Sequence, residues 1–310
     1  MKLAFVFPGQ GSQSIAMMAG FDGHPSVRAT FDEASAVLGQ DLWALVTDGP
    51  DADLNRTVNT QPVMLTAGIA VWRAWQAAGG PLPAVVAGHS LGEYTALVAA
   101  GALAFADALP LVRFRAQAMQ DAVPPDVGAM AAILGLDAVA VAAACAEAAQ
   151  GEVVEPVNFN TPEQIVIAGH RAAVLRAIDA ATARGAKRGV LLPVSAPFHS
   201  SLLKPAALRL ETKLATVAIA PPALPVLHNV DVQEKSTPDA IRVALAQQAA
   251  SPVRWVQTIE AFAARGVTHV VECGPGRVLA GLNRRIAREL KSFALDNGTD
   301  LDAARAALTG

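Results

Sequence analysis

The chain has 310 residues, of which 53 % are hydrophobic and only 16 % charged, and its formal net charge is −3. Its length suits one large α/β domain with a smaller insert, and a charged fraction below the usual ~25 % means that much of it is buried. The balance offers no basic field for nucleic acid, and no apolar run approaches the ~20 residues of a membrane span.

The first element is a buried strand over residues 3–7, ending at Pro8-Gly9. Five apolar residues are too few for a signal-peptide core, so a cytoplasmic protein is expected. Apolar positions Val63, Leu65, Ile69, Trp72 and Trp75 predict a helix over 62–77, with Pro62 in its first turn and Gly79-Gly80 ending it. A second buried strand covers 84–88. One helix starts just after Ser90 and another spans 105–121. The rhythm then changes. Strand 129–134, helix 137–149, strands 153–158 and 164–168 about a turn at Asn160-Thr161-Pro162, helix 171–184 and strand 189–192 give β-α-β-β-α-β. That is the split pattern of ferredoxin-like domains. The expected fold is therefore α/β: a hydrolase-like core with a parallel sheet, built from 1–126 and 195–310, plus an inserted ferredoxin-like subdomain over 127–194. In the second core segment the pattern predicts helix 201–216, strand 225–228, helices near 238–249 and 254–265, strand 268–272 and helix 277–291. A cleft between the two units is a natural place for a ligand.

Gly88-His89-Ser90-Leu91-Gly92 fits G-x-S-x-G between a buried strand and a helix, the context of a nucleophile elbow. The turn is sharp enough to demand small residues on either side of Ser90. It lifts the serine to a helix N-terminus, where unpaired N–H groups can hold an oxyanion. The plain alternative is a helix-capping serine. A serine nucleophile needs a base. Of the six histidines, His199 lies in Ser195-Ala196-Pro197-Phe198-His199-Ser200, where the small unit returns to the large one, and so faces the cleft. His89, inside the elbow, would point away from the hydroxyl. His24, His170, His228 and His269 lack such a context. Gly9-Gln10-Gly11 fails the dinucleotide fingerprint, because Ser14 stands where a third glycine is needed. Gly274-Pro275-Gly276 lacks the Gly-Lys-Ser/Thr of a phosphate loop. His89 and Glu93 make no metal motif, and no metal is expected. Cys145 and Cys273 belong to no CxxC pair and are expected as reduced core thiols.

These residues resemble the bacterial malonyl-CoA:acyl carrier protein transacylases and the acyltransferase domains of fatty acid and polyketide synthases. The resemblance covers essentially the whole chain. It rests on Phe7-Pro8-Gly9-Gln10-Gly11-Ser12-Gln13, Gly88-His89-Ser90-Leu91-Gly92-Glu93-Tyr94, the arginine within 113–119, Pro197-Phe198-His199-Ser200, Asn229-Val230-Asp231, Gln248 and Glu272-Cys273-Gly274-Pro275-Gly276. It implies that Ser90 is acylated, that His199 is its base, and that Gln248 orients His199 through a backbone carbonyl. It implies an oxyanion hole from Gln10 and the Leu91 N–H, and Arg115 as the clamp on the malonyl carboxylate. Phe198, Met119 and Asn160 complete the implied substrate-binding set. A planar guanidinium can hold a carboxylate with two charge-assisted hydrogen bonds. The residues alone leave Arg113 and Arg115 as candidates; the resemblance favours Arg115.

The resemblance further implies malonyl-CoA as substrate, coenzyme A as product, no permanently bound cofactor, an acidic acyl carrier protein as partner, and a monomer. On a helix over 277–291, Arg284, Arg288 and Lys291 would share one face. With Lys187 and Arg188 they form a candidate carrier-docking surface, the alternative being a solvated helix end. Two other readings stay open. One is a serine esterase, thioesterase or phospholipase. The other is the same transfer serving the carrier of a malonate decarboxylase or a polyketide synthase. A non-enzymatic interaction protein would require a degraded site, and no motif residue is missing.

Overall fold

A computed structural model describes residues 1–194 and 196–309. Ser195, the first residue of the histidine segment, and Gly310 lie outside the described residues. The chain opens with β1 (Leu3–Phe7) and continues through α1 (Pro25–Leu38), α2 (Leu42–Thr47), α3 (Asp51–Leu54) and α4 (Thr57–Ala77). Then come β2 (Val85–Gly88), α5 (Gly92–Ala99) and α6 (Phe105–Asp121). The middle stretch is β3 (Gly128–Leu134), α7 (Ala138–Ala149), β4 (Val154–Thr161), β5 (Gln164–His170), α8 (Arg171–Ala183) and β6 (Arg188–Leu191). The last is α9 (Lys204–Leu214), β7 (Val226–Leu227), α10 (Pro238–Gln248), α11 (Trp255–Ala264), β8 (His269–Cys273), α12 (Val278–Ile286), β9 (Lys291–Leu295) and α13 (Gly298–Thr309).

Strands β7-β2-β1-β8-β9 form a parallel sheet with β1 at its centre. All five residues of β1 are buried because both faces of the sheet are covered, so the strand is a continuous apolar run rather than an alternating one. Phe5 and Phe7 belong to the core with α1, α4, α5 and α6, where the Phe5 ring meets Trp72 and Trp75 at 5.4 Å. Ala4 and Val6 belong to the opposite core, with Trp255, Ile259 and Phe262 of α11 and Leu279 of α12.

Strands β4-β5-β3-β6 form an antiparallel sheet in the expected β-α-β-β-α-β order. Ala131, Ile133, Ile165 and Ile167 pack with α7 and α8 through Val141, Ala144, Val174 and Ala177. Met130, Val157, Val166 and Ala168 are part of the large core instead. One face of this sheet is thus covered by its own helices, and the other lies on the parallel-sheet unit.

Four expected boundaries change. Helix α4 starts at Thr57, not at 62, so Pro62 sits inside it. The helix tolerates this because a proline this early removes only the backbone bond to Val58. The turn between β4 and β5 is Pro162-Glu163, which places Asn160 and Thr161 on β4. A short 3₁₀ turn, Ser201–Leu203, precedes α9, whose α-helical part begins only at Lys204, with Pro205 in its first turn. The expected helix over 277–291 stops at Ile286. Ala287 turns extended, Leu290 is buried, and Lys291–Leu295 pair in parallel with β8 as the sheet's last strand. Arg284, Arg288 and Lys291 therefore do not share a helix face. The arginine-rich spacing resembles an amphipathic helix, but burial of Leu290 and Leu295 against the sheet outweighs it.

Candidate active site

The turn after β2 carries Ser90 in a left-handed conformation, φ 52°. Such strain in a non-glycine residue costs about 1–3 kcal/mol and persists only where its surroundings enforce it. Here two glycines enforce it. A Cβ on Gly88 would lie 1.8 Å from the Gly92 carbonyl carbon, and one on Gly92 would lie 2.0 Å from the Phe7 oxygen. Neither position admits another residue without moving backbone. Asn229, just past the neighbouring strand β7, braces the turn from outside. Its Oδ1 accepts from the Ser90 N–H at 2.8 Å, and its Nδ2 donates to the Gly88 oxygen at 2.7 Å.

Ser90 Oγ lies 2.7 Å from His199 Nε2, and His199 Nδ1 lies 2.9 Å from the Gln248 backbone oxygen. A carbonyl can only accept, so Nδ1 carries the hydrogen and Nε2 presents its lone pair to the serine. Gln248 ends α10 and residue i+4 is Pro252, which has no N–H, so its carbonyl lacks a helical partner, takes only a long bond from the Ser251 N–H at 3.5 Å, and lies at the negative end of the helix dipole. His199 is buried, and its pKa falls to about 3, first through desolvation and then through the nearby Arg115 charge. It is neutral at physiological pH, as a general base must be. His89 is half-buried, and desolvation lowers its pKa. Its Nε2 lies 2.8 Å from Asn160 Oδ1 and its ring 5.4 Å from Trp255.

Arg115 is 1 % exposed. Its Nη1 donates to Gln61 Oε1 at 2.9 Å, and its Nη2 donates to Gln248 Oε1 at 2.8 Å and to Ser90 Oγ at 3.2 Å. The guanidinium carbon sits 5.4 Å from the Tyr94 ring centre. Desolvation lowers its pKa, yet arginine stays charged in a folded protein. Among the described residues no carboxylate forms an ion pair with it. Arg113, two residues away, turns out to Leu38 and Gln40.

A cavity of about 110 Å³ joins these groups. Gln10, Gln61, His89, Ser90, Leu91, Arg115 and Met119 line it from the large unit, and Met130, Asn158, Leu192 and Val194 from the antiparallel-sheet side, with Phe198 and His199 between. That volume is room for a short acyl group. Gln10 Nε2 is 3.3 Å from Thr57 Oγ1. The structure thus brings Ser90, His199, Gln248, Gln10, Leu91, Arg115, Met119 and Phe198 together. Asn160 sits behind the cavity, engaged with His89, while Asn158 from the same strand lines it. No group of His, Cys, Asp or Glu among the described residues could hold a metal ion.

Sequence reasoning missed the buried layer beneath the site. Glu93, His228 and Asn229 are fully buried, and Glu93 bonds His228 Nδ1, the Asn229 N–H and Gln248 Nε2. One signal was available: Glu93 is the single charge in the eight residues of α5, and an acid inside an apolar helix is almost never buried unless paired.

The chain is similar to known proteins over nearly its whole length. The description "Acyl transferase domain" matches residues 4–308. The chain belongs to the acyl transferase family. It is 54 % identical, over 98 % of both chains, to the malonyl CoA-acyl carrier protein transacylase of Escherichia coli K12. It superposes with a TM-score of 0.97 on the acyl-carrier-protein S-malonyltransferase of Burkholderia pseudomallei, at 60 % identity, covering 99 % of this chain and 100 % of that one. It superposes with a TM-score of 0.98, at 49 % identity, on a malonyl-transacylase solved in complex with a type II PKS acyl-carrier protein, covering 99 % and 100 %. The α/β fold with its second, antiparallel sheet is the fold of these structures. Both free cysteines are buried. No helix among the described residues is long and apolar enough to cross a membrane.

Proposed function

We propose that this acyltransferase moves a malonyl group from malonyl-CoA to the phosphopantetheine thiol of an acyl carrier protein, through an ester on Ser90. One observation carries the reading. A buried arginine with no carboxylate partner among the described residues touches the nucleophile, with Nη2 3.2 Å from Ser90 Oγ. Once an acyl group is on Ser90, a carboxylate two carbons from the ester carbonyl would find that charge.

The steps follow from the geometry. Ser90 Oγ attacks the thioester carbonyl while His199 Nε2 takes its proton, and the Gln248 oxygen steadies the imidazolium through Nδ1–H. Asn229 already holds the Ser90 N–H, so the next elbow amide, Leu91, and the Gln10 side chain are the donors for the oxyanion. The C–S bond breaks, His199 returns its proton to the sulfur, and coenzyme A leaves. The carrier's thiol then gives its proton to His199 and attacks the ester carbonyl; the C–Oγ bond breaks and His199 Nε2 returns the proton to Ser90 Oγ. No step needs a resident cofactor. Intact mass after mixing with malonyl-CoA alone tests this. We expect a malonyl adduct on the wild type and none on Ser90→Ala; an equal adduct on both would reject the assignment.

For the carrier, Lys187, Arg284, Arg285 and Arg288 line a surface depression of about 530 Å³ together with Gly135, Thr161 and Gln164. The cations come from both units, so an acidic partner would dock across them. Of the remaining two cations expected on this surface, Arg188 starts the neighbouring β6 and Lys291 starts β9. The neighbour solved with a type II PKS carrier supports a second pathway reading, transfer to a polyketide carrier. Transfer rates to purified fatty-acid and polyketide carriers would decide between the two.

A further inference from the structure

Glu93 has no place in the steps above, yet its carboxylate is fully buried one turn beyond Ser90. Oε1 accepts from His228 Nδ1 at 2.7 Å. Oε2 accepts from the Asn229 N–H and from Gln248 Nε2, both at 2.9 Å. The same Gln248 Nε2 donates to the Ser90 carbonyl at 2.9 Å. Both hydrogens of that amide thus point at acceptors, which leaves Gln248 Oε1 facing Arg115 Nη2 at 2.8 Å. The reversed amide would set its oxygen against a carboxylate and a carbonyl, and its NH₂ against a guanidinium. Of the two acceptors that fix the orientation, the charged one holds more strongly.

We propose that Glu93 is a positioning residue for acyl-group selection: by orienting the Gln248 side-chain amide it aims Arg115 at the space in front of Ser90. The proposal rests on the malonyl-transfer reading. The interposed amide matters. Direct contact with Glu93 would satisfy the arginine with a carboxylate of its own. Reached only through Gln248, the guanidinium is held in place and still open to an acyl carboxylate. Glu93 also fixes the Asn229 backbone, and so braces the elbow.

Replacement by glutamine separates hydrogen bonding from charge. Its carbonyl can accept from Asn229 and Gln248, and its NH₂ can donate to His228 Nδ1 once His228 carries its hydrogen on Nε2. That nitrogen has no partner among the described residues, so the tautomer shift breaks no bond. The experiment measures Ser90 acylation by malonyl-CoA and by acetyl-CoA, followed by intact mass. The readout is the ratio of the two second-order rate constants. In Glu93→Ala the malonyl preference should fall about tenfold or more, because the arginine is no longer aimed. Glu93→Gln should recover most of it. Adding Gln248→Met to Glu93→Ala should lower it little further, because the two act in series. An unchanged ratio in Glu93→Ala, or Glu93→Gln falling as far as Glu93→Ala, overturns the proposal. If Glu93→Ala does not fold, Gln248→Met alone decides: its ratio must fall, and an unchanged one overturns the proposal. A wild type that forms no malonyl adduct would instead sink the functional reading and this inference with it.

Discussion

Arg115→Ala puts the substrate assignment under most strain. In the folded protein the guanidinium is buried, bonded to two amide oxygens, and unpaired by any carboxylate among the described residues. A carboxylate meeting it would form two charge-assisted bonds, each worth about 1.5–3 kcal/mol. Part of that offsets desolvation of the incoming anion, leaving about 3–4 kcal/mol. At ~1.4 kcal/mol per tenfold, the truncation should lower kcat/KM for malonyl-CoA by about 10²–10³. Acetyl-CoA offers nothing to the arginine and leaves a buried charge uncompensated, so its rate should hold or rise. Arg115→Lys should fall between, since an ammonium lacks the planar fork. The assay is transfer to carrier with each thioester, beside a thermal melt to confirm folding. Equal losses for both thioesters would refute the clamp and leave Arg115 with a structural role only.

Two further outcomes follow from the site and the surface. His199 has a folded pKa of about 3 against an ordinary 6.5, so its neutral form stabilises the fold above pH 6.5, and that contribution is lost as pH falls from 6.5 toward 3. At pH 5 the loss is about 2 kcal/mol; urea unfolding between pH 7.5 and 5 should show it in the wild type and not in His199→Gln, and identical slopes would contradict it. Arg284→Glu with Arg288→Glu, at the basic depression, should lower kcat/KM toward the carrier and weaken its salt dependence while sparing acylation by malonyl-CoA; a parallel loss in both half-reactions would leave the docking surface without support.

What could be read from the sequence was local. The nucleophile elbow follows from sterics within five residues, and the limits of α6 from apolar spacing within one helix. The β-α-β-β-α-β order follows from alternation along a single stretch. What escaped was non-local. Glu93 meets His228 and Gln248, 135 and 155 residues away, and no periodicity encodes that meeting. The C-terminal strand β9 was hidden because its register is set by β8, not by its own composition, and α13 beyond it was not read at all. The short helices α2 and α3 lie between turns and carry no sustained apolar period. The roles of Gln10 and Leu91 came from resemblance, since nothing in their neighbours marks an oxyanion donor.

The group that orients the catalytic histidine is a main-chain carbonyl. Every amino acid supplies one, so no substitution at position 248 deletes it, and a side-chain scan will not register this member of the triad. Whatever such a scan detects at Gln248 reports on its amide and on Arg115 instead. The orienting function itself is encoded in where α10 stops. It would be lost by lengthening that helix by a turn, or by replacing the peptide bond after residue 248 with a weaker acceptor, and kept by most point changes.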